Sequence, residues 1–295
     1  MLKNKRTIIF SLLLLSAVVL NAQQSRVTAA YTFLQQGNLD SAKAIIDLAV
    51  KNPETEKDGQ AWYIRGFIYK SIYNKNEKSN KQSATRLEAL SSFKTSLSLD
   101  TTQDNVHENV KNIKYLATTL YNDAAASLDT IDYQVAVKDF DIFKQYYVLV
   151  DASPENIKQK DIDFSNAIAS VYTKIFEGDR KGKAEFLNLA KAAYSKTLQL
   201  DPNNISANYN MGILYYNQAV NLINQSDFDL DIVALNDVQD NSINLFKASL
   251  PFMEKAYSLD PNRRETLLGL SGIYFSLNEK EKSNEFKQKL EQIGK

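Results

Sequence analysis

The chain has 295 residues, of which 44% are hydrophobic and 11% aromatic, so it carries enough apolar material for a sizeable core and too much for a disordered segment. Lys plus Arg and Asp plus Glu both number 35, which removes any whole-chain electrostatic reason to expect nucleic acid as a partner. Nine Gly and five Pro are few for a β-rich chain of many tight turns, and the absence of Cys excludes disulfides, thiol chemistry, cysteine-held metals and a lipid-modified N-terminal cysteine.

The N-terminus places Lys3, Lys5 and Arg6 before the apolar run Ile8 to Leu20, followed by Asn21, Ala22, Gln23 and Gln24. This reads as a secretory signal peptide over residues 1–22, cleaved after Ala22, because the run is shorter than the roughly 20 residues that span a bilayer. An uncleaved N-terminal anchor is the rival reading. Removal takes away three positive charges, and no later stretch is apolar enough to cross a membrane, so the mature protein is expected to be exported, periplasmic or secreted, without stable membrane insertion.

From residue 26 onward apolar residues recur at three- and four-residue spacing, with no alternation long enough for a strand. Polar clusters at Asn52 to Gly59, Asn74 to Ser83, Asp151 to Asn156, Glu177 to Gly182 and Asp201 to Asn204 cut this pattern into paired helices. The phrase Leu198-Gln-Leu-Asp-Pro-Asn-Asn204 returns as Tyr257-Ser-Leu-Asp-Pro-Asn262, with Leu97-Ser-Leu-Asp100 as a third copy lacking the proline. Each closes a helix, since a proline there costs no hydrogen bond in the next helix and stops the previous one. Upstream lies a small residue with a bulky one four later: Ala89 and Phe93, Ala190 and Tyr194, Ser249 and Met253, and likewise Ala42 with Ile46 and Ala49, and Ala136 with Phe140.

The partner helix has its own signature, in which Trp62, Gly66 and Tyr69, then Asn208, Gly212 and Tyr215, then Leu267, Ser271 and Tyr274 each share one helical stripe. On these residues the chain resembles the tetratricopeptide repeat family, whose unit is two antiparallel helices with this small and large alternation. The resemblance covers nearly all of residues 23–295 and implies one helical repeat domain: an all-α, right-handed superhelical solenoid of about six antiparallel helix pairs. Some pairs are enlarged, with surplus residues at Asn74 to Ala84 and at the acidic stretch Asn224 to Asn241, and the pairs near 105–150 and 161–200 keep the pattern poorly. Ser283 to Ile293 is expected as the closing helix, apolar only at Phe286, Leu290 and Ile293.

No catalytic constellation is legible, so neither an enzyme nor a cofactor is expected. His107 is the lone histidine and reads as a polar residue in a helix's first turn. Asp227, Asp229 and Asp231 alternate as in a calcium loop, but Ile232 and Val238 stand where such a loop needs glycine and glutamate, so no metal site is expected. One position past each packed stripe, a rotation of about 100°, lie Tyr63, Phe67 and Lys70, and then Tyr209, Ile213, Tyr216 and Asn217. In the family such positions line the concave groove where peptides lie. Their aromatic character argues against a carboxylate clamp and for an apolar groove. The expected function is a non-catalytic scaffold outside the cytoplasm that holds a partner protein or peptide, with a structural homo-oligomer of the cell envelope and a carbohydrate-handling accessory protein as alternatives.

Overall fold

The computed structural model describes residues 26–151, 153–226 and 231–293. The signal-peptide reading over residues 1–22, and Asp227 and Asp229 of the alternating acidic run, lie outside the described residues. Among the described residues all regular structure is helical: α1 over 26–35, α2 (Leu39–Ala49), α3 (Gly59–Ile72), α4 (Ala84–Leu99), α5 (Val106–Ala126), α6 (Tyr133–Tyr147), α7 (Pro154–Gly178), α8 (Glu185–Leu200), α9 (Ile205–Gln225), α10 (Ile232–Leu259), α11 (Arg264–Ser276) and α12 (Lys280–Ile293). They pair in chain order, α1 with α2 through to α11 with α12, and none is long and apolar enough to cross a membrane.

Local chemistry fixes the helix ends. Side-chain oxygens of Asn38, Asp58, Ser83, Asn204 and Asp231 accept backbone N–H bonds in the first turns of α2, α3, α4, α9 and α10. Gly37, at φ +74°, ends α1 in a left-handed turn in which Gly37 N–H donates to Leu34 and Asn38 N–H donates to Phe33. Asn278, at φ 61°, makes the same turn after α11, where Asn278 N–H reaches Phe275 and Glu279 N–H reaches Tyr274. The two enlargements are absorbed differently from plain loops. Tyr73 to Glu77 continue α3 as a π-helical turn, and the surplus around 224–241 lengthens α9 to Gln225 and α10 to 28 residues.

The chain forms two compact units. The first contains the residues up to Ser127 together with Gln134–Ile157, and the second contains Leu128–Tyr133 together with Lys158 onward. In the first unit Ala30, Ala42, Ile46, Ala49, Ala61, Ile64 and Ile68 close one core across α1, α2 and α3. Phe93 packs on α3 from α4, and Tyr121 meets Phe140 and Phe143 at ring-centroid distances of 6.2 and 5.2 Å to join α5 to α6. In the second unit Ala169, Ala190, Tyr194, Ala207, Met211 and Leu214 join α7, α8 and α9, and Met253, Leu267, Leu270, Ile273, Tyr274 and Phe286 join α10, α11 and α12. Every small and bulky residue of the second-helix phrases is buried.

Polar groups also enter the first core. Arg86 is 1% exposed; its guanidinium donates to Lys81 O, Thr119, Tyr73 and Asp123, and lies 3.9 Å from buried Asp139. Burial pushes the Asp139 carboxyl above its ordinary value, against the pull of Arg86. Arg65 bridges three helices, donating to Asp47 of α2 at 2.9 Å and to Ser92 and Glu88 of α4 at 2.6 and 2.8 Å.

Candidate partner-binding clefts

The pairs α3–α4, α9–α10 and α11–α12 close on a small residue of the first helix, Gly66, Gly212 and Ser271. A Cβ placed on Gly66 would stand 2.7 Å from the Phe93 ring, and one on Gly212 would stand 2.5 Å from Met253 Cγ. Ser249 Oγ donates to Gly212 O at 2.7 Å, and one repeat later Ser283 Oγ donates to Ser271 O at 2.9 Å. The rings follow the same register: Tyr215 stacks on Phe252 at an interplanar angle of 10°, and Tyr274 stacks on Phe286 at 5°.

These helix pairs keep the small and bulky register on which the chain resembles the tetratricopeptide repeat family. Their next stripe, one position on, opens into two clefts, one in each unit. The first has a volume of about 600 Å³ between α1 and α3, and Val27, Tyr31, Leu34, Tyr63, Ile64 and Phe67 form its apolar wall. The second, of about 560 Å³ between α9 and α11, is lined by Tyr209, Ile213, Tyr216 and Asn217 from α9, and by Leu268, Gly269, Gly272 and Phe275 from α11. Glu265 and Lys287 add opposite charges to its wall.

Six of the seven sequence-expected residues line these clefts, Tyr63 and Phe67 in the first and Tyr209, Ile213, Tyr216 and Asn217 in the second. The expected aromatics are half-buried, because neighbouring rings and side chains lean on them. Tyr63 lies 6.1 Å from Phe93 and 6.2 Å from Phe67, Tyr216 lies 5.5 Å from Phe246, and the Arg263 guanidinium lies 4.1 Å from the Tyr209 ring. Burial raises the phenols of Tyr63 and Tyr209 above their ordinary pKa; Arg263 opposes that rise at Tyr209. Both stay protonated hydrogen-bond donors at neutral pH. Lys70 turns away from the first cleft, donating to Asn112 Oδ1 of α5 at 2.5 Å with its ammonium 4.8 Å from the Phe67 ring. Burial lowers its pKa.

Sequence reading missed Tyr31, Leu268 and Phe275. Tyr31 is 46% exposed and follows buried Ala30 as Phe67 follows Gly66, so the same one-position rule applied to α1 would have found it. His107 stands exposed in the first turn of α5, and among the described residues no group of three His, Asp or Glu could hold a metal ion.

No protein-family model and no curated protein matches the chain. Among solved structures it is similar to pilF of Pseudomonas aeruginosa, at 11% identity over 92% of each chain with a TM-score of 0.36. It is also similar to the MamA protein, at 14% identity over 78% of this chain and 91% of that one with a TM-score of 0.33. A third is YrrB, a TPR protein with an unusual peptide-binding site, at 17% identity over 82% of this chain and 89% of that one with a TM-score of 0.26.

Proposed function

We propose that the chain is a non-catalytic protein-binding scaffold that works outside the cytoplasm and holds a segment of a partner protein in its aromatic clefts. The observation that carries this reading is the register. In both units the residues one position past the packed stripe line an open cleft of several hundred Å³, walled by Tyr, Phe and Ile with few charges. Such walls suit apolar side chains of a partner, and Tyr supplies a polar tip for its backbone. Lys70, turned away from the cleft to Asn112, enters this reading only through its ammonium beside the Phe67 ring. The basic and apolar run at residues 3–20 supports export.

The test begins with capture from native envelope extract and identification of the bound protein by mass spectrometry, followed by titration of that protein against variants. Tyr31→Ala, chosen because Tyr31 is the most exposed aromatic of the first cleft, should weaken binding at least tenfold with the melting temperature within about 2 °C of wild type. Tyr63→Ala and Tyr209→Ala should weaken binding as well, with some loss of stability because both are half-buried. Full affinity in all three variants would remove the clefts from the binding surface.

A further inference from the structure

The first cleft is neutral as well as apolar. Beside the apolar stripes of α1 and α3, its lining consists of Thr28, Gln35, Gln60 and Ser71, all uncharged, whereas Glu265 and Lys287 stand in the wall of the second cleft. An ionised side chain laid against the first wall would lose water without meeting a counter-charge. Glu108 of α5 acts on Tyr63 from beyond the lining, which disfavours an acidic segment further.

The polar groups left open in this wall are mainly donors. Among the described residues neither the Tyr31 nor the Tyr63 hydroxyl has a hydrogen-bond partner. Gln60 Oε1 already accepts from Asn105 Nδ2 at 2.7 Å, so the open end of that amide is its NH₂ group. Burial, then the charge of Glu108, then Tyr31 raise the Tyr63 phenol, so its proton stays on the oxygen at neutral pH. Facing these donors are few dedicated acceptors: Ser71 Oγ, whose own proton goes to Phe67 O, and the Gln35 amide.

That imbalance selects among ligand backbones. A helical segment has bonded its own carbonyls and would leave the wall's donors unanswered. An extended segment brings as many N–H as C=O groups, and its N–H groups would lack acceptors. A run of prolines brings carbonyls alone, held outward in a polyproline II helix, together with rings that pack on aromatic faces. We propose that the first cleft holds a proline-rich, uncharged segment of the partner protein, its rings against Tyr31, Tyr63 and Phe67 and its carbonyls accepting from both phenols and from Gln60. This rests on the scaffold reading above and names the chemistry of what the scaffold holds. The spacing agrees: the Tyr63 and Phe67 centroids lie 6.2 Å apart with the rings tilted by 47°, and two residues of a polyproline II helix advance about 6 Å. A sugar would stack on the same rings, but its hydroxyls bring donors as well, and the wall holds no carboxylate to accept them.

Calorimetric titration of the full chain with decaproline, with an analogue carrying alanine at alternate positions, and with cellohexaose tests this directly. Decaproline should bind with a Kd on the order of 100 µM, the alanine analogue at least fivefold more weakly, and cellohexaose more weakly still. Tyr31→Phe and Tyr63→Phe keep the rings and remove only hydroxyls that have no partner within the described protein. Each variant should therefore melt within about 1 °C of wild type yet bind decaproline roughly three- to tenfold more weakly. Purely apolar rings would leave both affinities unchanged. No binding at millimolar decaproline, an alanine analogue that binds equally well, a preference for cellohexaose, or full affinity in both phenylalanine variants would overturn the inference. The scaffold reading is judged separately, by the captured partner. If that partner responds to Tyr31→Ala through a segment without proline, only the present inference falls. If it ignores Tyr31→Ala, Tyr63→Ala and Tyr209→Ala alike, the clefts lose their role altogether.

Discussion

Gly212 and Gly66 hold equivalent places but face different neighbours, and that difference sets what a larger side chain would cost. Replacing Gly212 with Leu gains roughly 0.8 kcal/mol of helix propensity, yet forces a branched side chain into the space of Met253, an overpacking cost of about 1 to 3 kcal/mol. The net change should be destabilising, and a denaturation midpoint equal to wild type would contradict the helix-pair register. With the smaller change to Ala the two sites should separate. Met253 can swing its flexible thioether aside, whereas the Phe93 ring over Gly66 is rigid, so Gly66→Ala should lower the urea midpoint more than Gly212→Ala. Arg86 is the other residue on which the first core depends. Removing its charge in Arg86→Met leaves Asp139 buried without compensation, at a cost of about 3 to 5 kcal/mol. If uncompensated charge is the cause, adding Asp139→Asn should recover part of that loss, which paired denaturation curves would measure.

Between α6 and α7 a single carboxylate organises the chain. Asp151 accepts from the Tyr147 hydroxyl first, and also from Ser153 N–H at 2.9 Å, Asn156 and Lys114, and these bonds hold its pKa well below the ordinary carboxylate range. The Tyr147 phenol is pushed up to about 12 by burial and by the same carboxylate. Because the folded value of Asp151 is depressed, its stabilisation is complete above the ordinary carboxyl pKa of about 4 and is lost as pH falls through the folded value. Asp151→Asn should therefore be less stable than wild type at pH 7, with the gap narrowing as pH falls below about 4. A gap independent of pH in urea titrations would assign its role to shape alone. Such elements differ in how far the sequence discloses them. The paired helices were legible because small residues facing bulky ones repeat at a spacing that only helix-on-helix packing requires. Six cleft residues followed from a one-position rotation of that stripe. Tyr31 escaped because Arg26 stands where a large apolar residue would have marked α1, and the α11 wall escaped because Leu268 and Gly272 stand there in the register of Tyr209 and Ile213, which leaves Phe275 as its one aromatic. Buried Arg86, Ser92 and Ser96 blur the periodicity of α4, since a buried arginine and a surface one look alike in sequence.

At the scale of the molecule, stability in a repeat array is carried by each pair and its nearest neighbours, so damage should stay close to where it is done. The first unit closes around the α1–α3 core and the Arg86 cluster, and the second around the α7–α9 and α10–α12 cores. Native-state hydrogen exchange can follow this division, because amides of α3 to α6 and of α9 to α12 report on separate cores. Arg86→Met should speed exchange of the slow amides in α3, α4, α5 and α6 by roughly 10²- to nearly 10⁴-fold, the equivalent of its 3 to 5 kcal/mol, while those of α9 to α12 change by less than about threefold. Gly212→Leu should do the reverse, loosening α9 to α12 and sparing α3 and α4. Uniform acceleration over the whole chain by either substitution would mean that the twelve described helices unfold as one cooperative body, and that the separation into two compact units has no thermodynamic counterpart.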